Sequence, residues 1–309
     1  MALIGAGSDS GTGWSTAVGL SAQDLPIFSA RSDLVLLHVT VTDRRGRYVS
    51  DLPRESFRVF DNGAPQPLQF FLSEDAPATI GLLIDNSQSM MPNRQELIAA
   101  ARAFVATSNP RDEVFALTFN NSIRAVLPPD APFTSDADTM SRALESSIAP
   151  VGQSAVHSAI LQGIDYLERG RYERKVLVLV SDGADNASPV DFGSTLSRVE
   201  GSNVVVYSVG LLDTVLNDGK PGRLKQLAEA TGGRAFFPKD AAAVSAALRK
   251  VADDIRHAYV VAFEPTESVR RAEAHRVRVA IESPHRVVVR ARSGYRAALK
   301  PAGDAPHER

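Results

Sequence analysis

The segment Asp85-Asn86-Ser87-Gln88-Ser89 places one carboxylate and two hydroxyls at alternate positions directly after the apolar run Ile80–Ile84. A second acidic loop, Ser181-Asp182-Gly183, follows the apolar run Val176–Val180. Between them, Pro150-Val151-Gly152-Gln153-Ser154 leads into a helical stretch and supplies another hydroxyl. Carboxylate and hydroxyl oxygens together form a hard, all-oxygen surface, the donor chemistry suited to a small divalent cation. Each piece alone has a plainer reading. Loop tips collect Asp, Asn and Ser for turn chemistry, Asp182-Gly183 alone is a turn, and Ser154 alone is a helix N-cap. What they do jointly depends on the elements that position them.

Those elements must come from a chain of 309 residues with 34 Lys+Arg, 36 Asp+Glu and a formal net charge of −2. So neutral a balance gives no global attraction to nucleic acid or an anionic membrane. The 44% hydrophobic and 23% charged shares are those of a globular protein rather than a disordered one. With no cysteine, disulfides, thiolate metal sites and cysteine nucleophiles are excluded together. No apolar run approaches the ~18 residues of a membrane-spanning helix.

Leu34–Asp43 carries Val35, Leu37, Val39 and Val41 at period two, the pattern of a half-buried strand. Phe57–Asp61 meets Asn62-Gly63, a strong hairpin signal, and Leu68–Leu72 is expected to return. After Pro77 the pattern changes to short apolar runs alternating with helical segments, which predicts a parallel α/β sheet. Strands are expected at Thr79–Ile84, Val114–Phe119, Val176–Val180, Val204–Val209 and Ala235–Phe237, with Ile123–Leu127 as a short antiparallel edge. Helices are expected near Arg94–Thr107, Asp138–Ile148, Ala155–Arg169, Val190–Glu200, Arg223–Ala230 and Ala241–Arg256. From His257 the chain turns to strands again, at Tyr259–Phe263, His275–Ile281 and Arg286–Arg292.

The expected fold class is therefore α/β: a doubly wound, mostly parallel sheet inserted in a small all-β sandwich built from the N- and C-terminal segments. Its expected parts are a leader at 1–30, sandwich pieces at 31–75 and 257–297, the α/β domain at 76–256, and a polar tail at 298–309. Each sandwich piece is near the ~40-residue size below which a lone core rarely holds, so the two are expected to share one core. In a doubly wound sheet, ligands sit where the strand order reverses. With Ile123–Leu127 at the edge, Asp85 and Asp182 end adjacent strands at that point.

At Asp85-x-Ser87-x-Ser89, Ser154 and Asp182 the sequence resembles the von Willebrand factor type A domain and its metal-ion-dependent adhesion site. The resemblance covers most of residues 76–256, and the flanks VTDRRGRYVSDLPRESFRVFDNG and Arg292-Ser293-Gly294-Tyr295 look like those of bacterial "VWFA-related" proteins. It implies that Asp85, Ser87, Ser89, Ser154 and Asp182 hold a metal. Ser154 stands where the family usually has threonine, which keeps the hydroxyl but loses the β-methyl that stiffens the rotamer. Mg²⁺ is the expected ion, because it accepts few protein ligands and retains water. Mn²⁺ or Ca²⁺ are the substitutes.

The function this implies is non-enzymatic: a module whose metal captures an acidic side chain, Asp or Glu, of a partner protein. Two alternatives stand beside it. One is a metal-dependent hydrolase using the same site, for which the sequence offers no general base; the other is a structural scaffold whose site stays empty. No nucleotide-binding Gly-rich loop and no His-Glu-x-x-His occur. Gly152-Gln153-Ser154-Ala155-Val156 lacks the last glycine of a nucleophile elbow. His157 reads as a surface or core histidine, and the six histidines show no metal spacing. The arginines of the C-terminal strands (270, 271, 276, 278, 286, 290 and 292) read as a solvated, edge-protecting face. Asp213 and Asp218 read as a polar loop near the rim of the site. Residues 1–30 lack the basic start of a secretory signal, yet Ala17–Ala22 (AVGLSA) looks like the end of one. Members of the resembling group are commonly exported, so an extracytoplasmic location is expected, with a cytoplasmic one as the alternative.

Overall fold

The computed structural model describes residues 34–211, 219–240, 242–265, 274–283 and 285–296. The expected leader at 1–30, the tail at 298–309, and Asp213, Asp218, Arg270 and Arg271 lie outside the described residues.

The N-terminal strands are β1 (Val35–Asp43), β2 (Phe57–Asp61), β3 (Ala64–Gln66) and β4 (Leu68–Leu72). The α/β part follows as β5 (Thr79–Asp85), α1 (Arg94–Thr107), β6 (Glu113–Phe119), β7 (Ile123–Ala125), α2 (Ala137–Ser147) and α3 (Val156–Leu167). It continues as β8 (Lys175–Ser181), α4 (Phe192–Glu200), β9 (Val204–Gly210), α5 (Pro221–Ala230), β10 (Ala235–Phe236) and α6 (Ala242–Arg256). The C-terminal strands are β11 (Ala258–Phe263), β12 (Ala274–Ile281), β13 (Val287–Arg290) and β14 (Gly294–Arg296).

The central sheet has the order β10-β9-β8-β5-β6-β7, parallel except for the antiparallel edge strand β7. All seven residues of β5 are buried, as expected of a strand covered on both faces. Ile80, Leu82 and Ile84 face the core shared with α1, α2 and α6. Leu83 faces the opposite core, with Ile160 and Ile164 of α3 and Leu224 and Leu227 of α5. After β6 and β7 fill one side, the chain returns through α3 to place β8 on the other side of β5. The reversal of order thus falls between β5 and β8, and the loops after Asp85 and Ser181 open into the same crevice.

Two four-stranded antiparallel sheets, β13-β1-β11-β4 and β14-β12-β2-β3, complete the fold. They close on a core of Leu37, Val39, Phe57, Val59, Tyr259, Val261, Phe263 and Val277. The sandwich expected from the two terminal segments is therefore formed: β1 pairs with β11, and β2 with β12. One expectation is corrected. The strand returning from Asn62-Gly63 is β3, whereas Leu68–Leu72 crosses over and pairs with β11 in the facing sheet. Asn62 and Gly63 both have positive φ, +48° and +87°, the geometry of a two-residue primed turn that sends the chain straight back.

The C-terminal arginines are corrected in part. Arg276 and Arg278 are exposed, with Arg278 over the Phe60 ring at 4.0 Å. Arg290 and Arg292 instead reach across to the α/β part. Arg290 donates to Gly232 O and Asp254 Oδ2 at 2.7 Å each, and Arg292 to Ser202 O at 2.8 Å. Alternation along a strand shows which side chains leave the sandwich core, but not that another layer waits beyond it.

Candidate metal centre

Strand alternation puts Leu83 and Asp85 of β5, and Leu177, Leu179 and Ser181 of β8, on the face covered by α3. The polar residues at the strand ends therefore point toward the entrance of α3, where Ser154 lies. Asp85 is fully buried. Its Oδ1 accepts the Ser87 N–H at 3.0 Å, closing a tight loop, and its Oδ2 accepts the Ser154 and Ser181 hydroxyls at 2.9 and 2.6 Å. The Ser87 and Ser89 hydroxyls lie 3.1 Å apart, and Ser89 donates to Asp182 Oδ2 at 3.0 Å. Asp182 Oδ1 accepts the Ala184 N–H at 2.9 Å. All five residues singled out in the sequence meet in this one network.

The loops are fixed to one another as well as to the strands. Val151 N–H donates to Asn86 O at 3.0 Å and Gln88 N–H to Gly152 O at 3.1 Å, so the first loop and the Ser154 loop form one wall. The loop after β8 makes the other. Asn186 and Ala187 N–H groups donate to Ser154 O, and Asn186 Oδ1 accepts the Ser154 N–H at 2.8 Å. Gly183 adopts φ +81° directly after Asp182, a conformation that side chains rarely take. Asp185 then accepts the N–H of His157 at 2.7 Å and the Ser188 hydroxyl at 2.7 Å, capping the first turn of α3 from outside the helix. His157 itself is buried, its Nδ1 2.9 Å from Val190 O. This is the core-histidine reading, with the ring engaged in holding a loop.

Ser181, Asp185 and Asn186 were missed in the sequence. Ser181 had a signal: it stands at the parity of Leu177 and Leu179, where a buried strand calls for another apolar residue. Asp185 and Asn186 sit in an Asp-, Asn- and Ser-rich loop that composition alone reads as turns.

Burial pushes the Asp85 carboxyl above the usual carboxylate range; hydrogen bonds from Ser181 and Ser87 oppose the shift, and the charge of Asp182 adds to it. The groups donating to Asp85 are neutral, which leaves a buried anion short of counter-charge. A divalent cation relieves that shortage. The donor set fits a hard ion: two carboxylates with the hydroxyls of Ser87, Ser89 and Ser154. Among the described residues no group of three or more His, Asp or Glu is arranged to hold a metal. An ion here would thus rest on few charges, with hydroxyls and water completing its shell.

A family model for the von Willebrand factor type A domain matches residues 79–251. A search of curated proteins gave no match. Among solved structures, a von Willebrand factor type A protein from Catenulispora acidiphila is similar over 80% of this chain and 74% of its own, at 14% identity and a TM-score of 0.53. Proximal thread matrix protein 1 from the mussel byssus is similar over 63% of this chain and 51% of its own, at 17% identity and a TM-score of 0.51. The same mussel protein with a zinc-occupied MIDAS motif is similar over 63% of this chain and 49% of its own, at 16% identity and a TM-score of 0.51. The chain thus spans about half the length of the mussel protein. At these identities the likeness is one of fold, and it agrees with the family match over the segment that carries the oxygen-lined crevice. The chain belongs to the von Willebrand factor type A domain family.

Proposed function

We propose that this protein is a non-catalytic, metal-dependent binding module that holds Mg²⁺ at Asp85, Ser87, Ser89, Ser154 and Asp182 and uses it to capture an Asp or Glu side chain of a partner protein. The observation that carries this reading is the convergence of those five residues, from three separate loops, on one hydrogen-bonded network at the switch point of the sheet. Two carboxylates balance a divalent ion without saturating its coordination, so a position is left for an oxygen from outside. A carboxylate arriving there makes a charge-assisted contact that depends wholly on the ion. The zinc-occupied motif of the mussel protein supports a metal at this place in the fold, though with another ion. Mn²⁺ and Ca²⁺ are expected to substitute for Mg²⁺. Export from the cytoplasm fits such a role and belongs to the same proposal.

Calorimetric titration with Mg²⁺, on the wild type and on Asp85→Ala, tests it. Saturable binding by the wild type and none by the variant is expected, with circular dichroism unchanged. Absence of binding by the wild type would favour the scaffold reading, since the serine hydroxyls already satisfy the carboxylates within the protein.

A further inference from the structure

The described residues include four exposed large apolar side chains: Met91, Val151, Phe237 and Val288. Three of them stand at the carboxyl edge of the central sheet. Met91 (56% exposed) follows Ser89 on the first loop, and Val151 (61% exposed) precedes Ser154 on the loop hydrogen-bonded to it. Phe237 directly follows β10, which runs parallel to β9, so it lies at the same edge beyond β8 and β9. Exposed apolar side chains cost solubility, and Met91 and Val151 stand on two loops hydrogen-bonded to each other beside the crevice, which marks an interaction surface there. Lys220 and Arg223, both exposed, lie at the start of α5; the Asp182 carbonyl accepts the Lys220 N–H at 3.2 Å, and the Arg223 guanidinium lies 5.2 Å from the centre of the Phe192 ring at the start of α4. The edge therefore combines an apolar rim, basic groups and the oxygen-lined crevice.

We infer that this edge docks a partner segment in which the acidic residue is flanked by apolar side chains, with Met91 and Val151 as the positions that read the flanks. The inference rests on the metal-binding reading of the crevice. Charge selects the occupant: a carboxylate satisfies the ion, and Lys220 and Arg223 favour an acidic segment over a basic one. The rim then discriminates among acidic segments. A purely polar neighbour of the carboxylate leaves Met91 and Val151 in water, whereas a leucine or phenylalanine covers them.

The test uses two fluorescein-labelled peptides, each with a central aspartate, flanked on both sides by leucine in one and by serine in the other. In Mg²⁺, the wild type is expected to bind the leucine-flanked peptide roughly tenfold more tightly by fluorescence anisotropy. The double variant Met91→Ser/Val151→Ser should lose that preference while keeping its Mg²⁺ binding. Val288→Ser, which removes the exposed apolar residue of the sandwich, should retain it. Equal affinity for both peptides, binding of neither, or a preference that survives the double variant overturns the inference. Calorimetry on the same samples separates the two failures: Mg²⁺ binding leaves the metal reading standing, and its absence removes both.

Discussion

Asp85 and Ser154 touch each other, yet they do different work, and the difference is measurable. Asp85 brings a formal charge to the crevice, whereas Ser154 and Ser181 bring neutral oxygens that donate to it. Ser154→Ala should weaken Mg²⁺ binding by roughly five- to tenfold, the equivalent of about 1–1.4 kcal/mol. Ser154→Thr should preserve or improve it, because the added methyl restricts the rotamer while the hydroxyl stays. Ser181→Ala removes the 2.6 Å bond to Asp85 and is expected to weaken Mg²⁺ to a similar extent, acting through the carboxylate's orientation. A Ser181→Ala protein with unchanged affinity would show that Asp85 needs no such support. The charged residues of this network were legible because Asp-x-Ser-x-Ser and the later Asp sit at strand ends in a readable α/β rhythm. Ser181 was not, since a lone serine ending a strand carries no motif and only its parity distinguishes it.

At the scale of elements, sequence periodicity succeeded where packing is two-sided and faltered where a strand is short. The buried runs of β5, β8 and β9 are mostly apolar because helices cover both faces, and each was located to within a residue or so. β3 was missed for the opposite reason. It is three residues long, contains Pro65, and only Gln66 of it is buried, so neither alternation nor β-propensity marks it. The apolar run Leu68–Leu72 then looked like the natural return strand, although it serves the facing sheet. The turn itself was read correctly, and it carries a prediction. Gly63→Val forces a β-branched residue into φ +87°, and since a Cβ there meets nothing within 4 Å, the cost is chiefly conformational. Urea unfolding should show a loss of about 1–2 kcal/mol. The Mg²⁺ affinity should not change, because this hairpin belongs to the sandwich. A loss of metal binding would mean that the sandwich and the crevice are coupled.

Across the whole molecule, the sandwich and the sheet are joined through buried cations, which no sequence pattern announced. Arg174, only 1% exposed, donates to Ala76 O at 2.9 Å and Ile255 O at 3.1 Å, and also to the carbonyls of Ser73 and Ala258. It thereby ties together the two places where the chain leaves and re-enters the sandwich. Replacing it by leucine strands those carbonyls, and Arg174→Leu should lose about 3–5 kcal/mol in urea unfolding. Its neighbour His38, on β1, is buried with Nε2 lacking a hydrogen-bond partner. Burial, and then the positive charge of Arg174, lower the imidazole to about 3. An unfolded chain takes up the same proton near pH 6.5, so it gains protons first as the solution is acidified. The neutral histidine's contribution is therefore complete above about pH 6.5 and drains away toward about pH 3, by up to ~1.4 kcal/mol per pH unit. Asp112, pushed up to about 6 by burial, runs the other way: its contribution is present below about pH 4 and is lost as pH rises through 6. The two overlap, so wild-type stability alone cannot isolate either. The difference between the wild type and His38→Leu can, because Asp112 is common to both. That difference should shift steadily in favour of the leucine variant as pH falls from about 6.5 to 4. Stability curves that run parallel over that range would show that His38 is not held neutral at this junction.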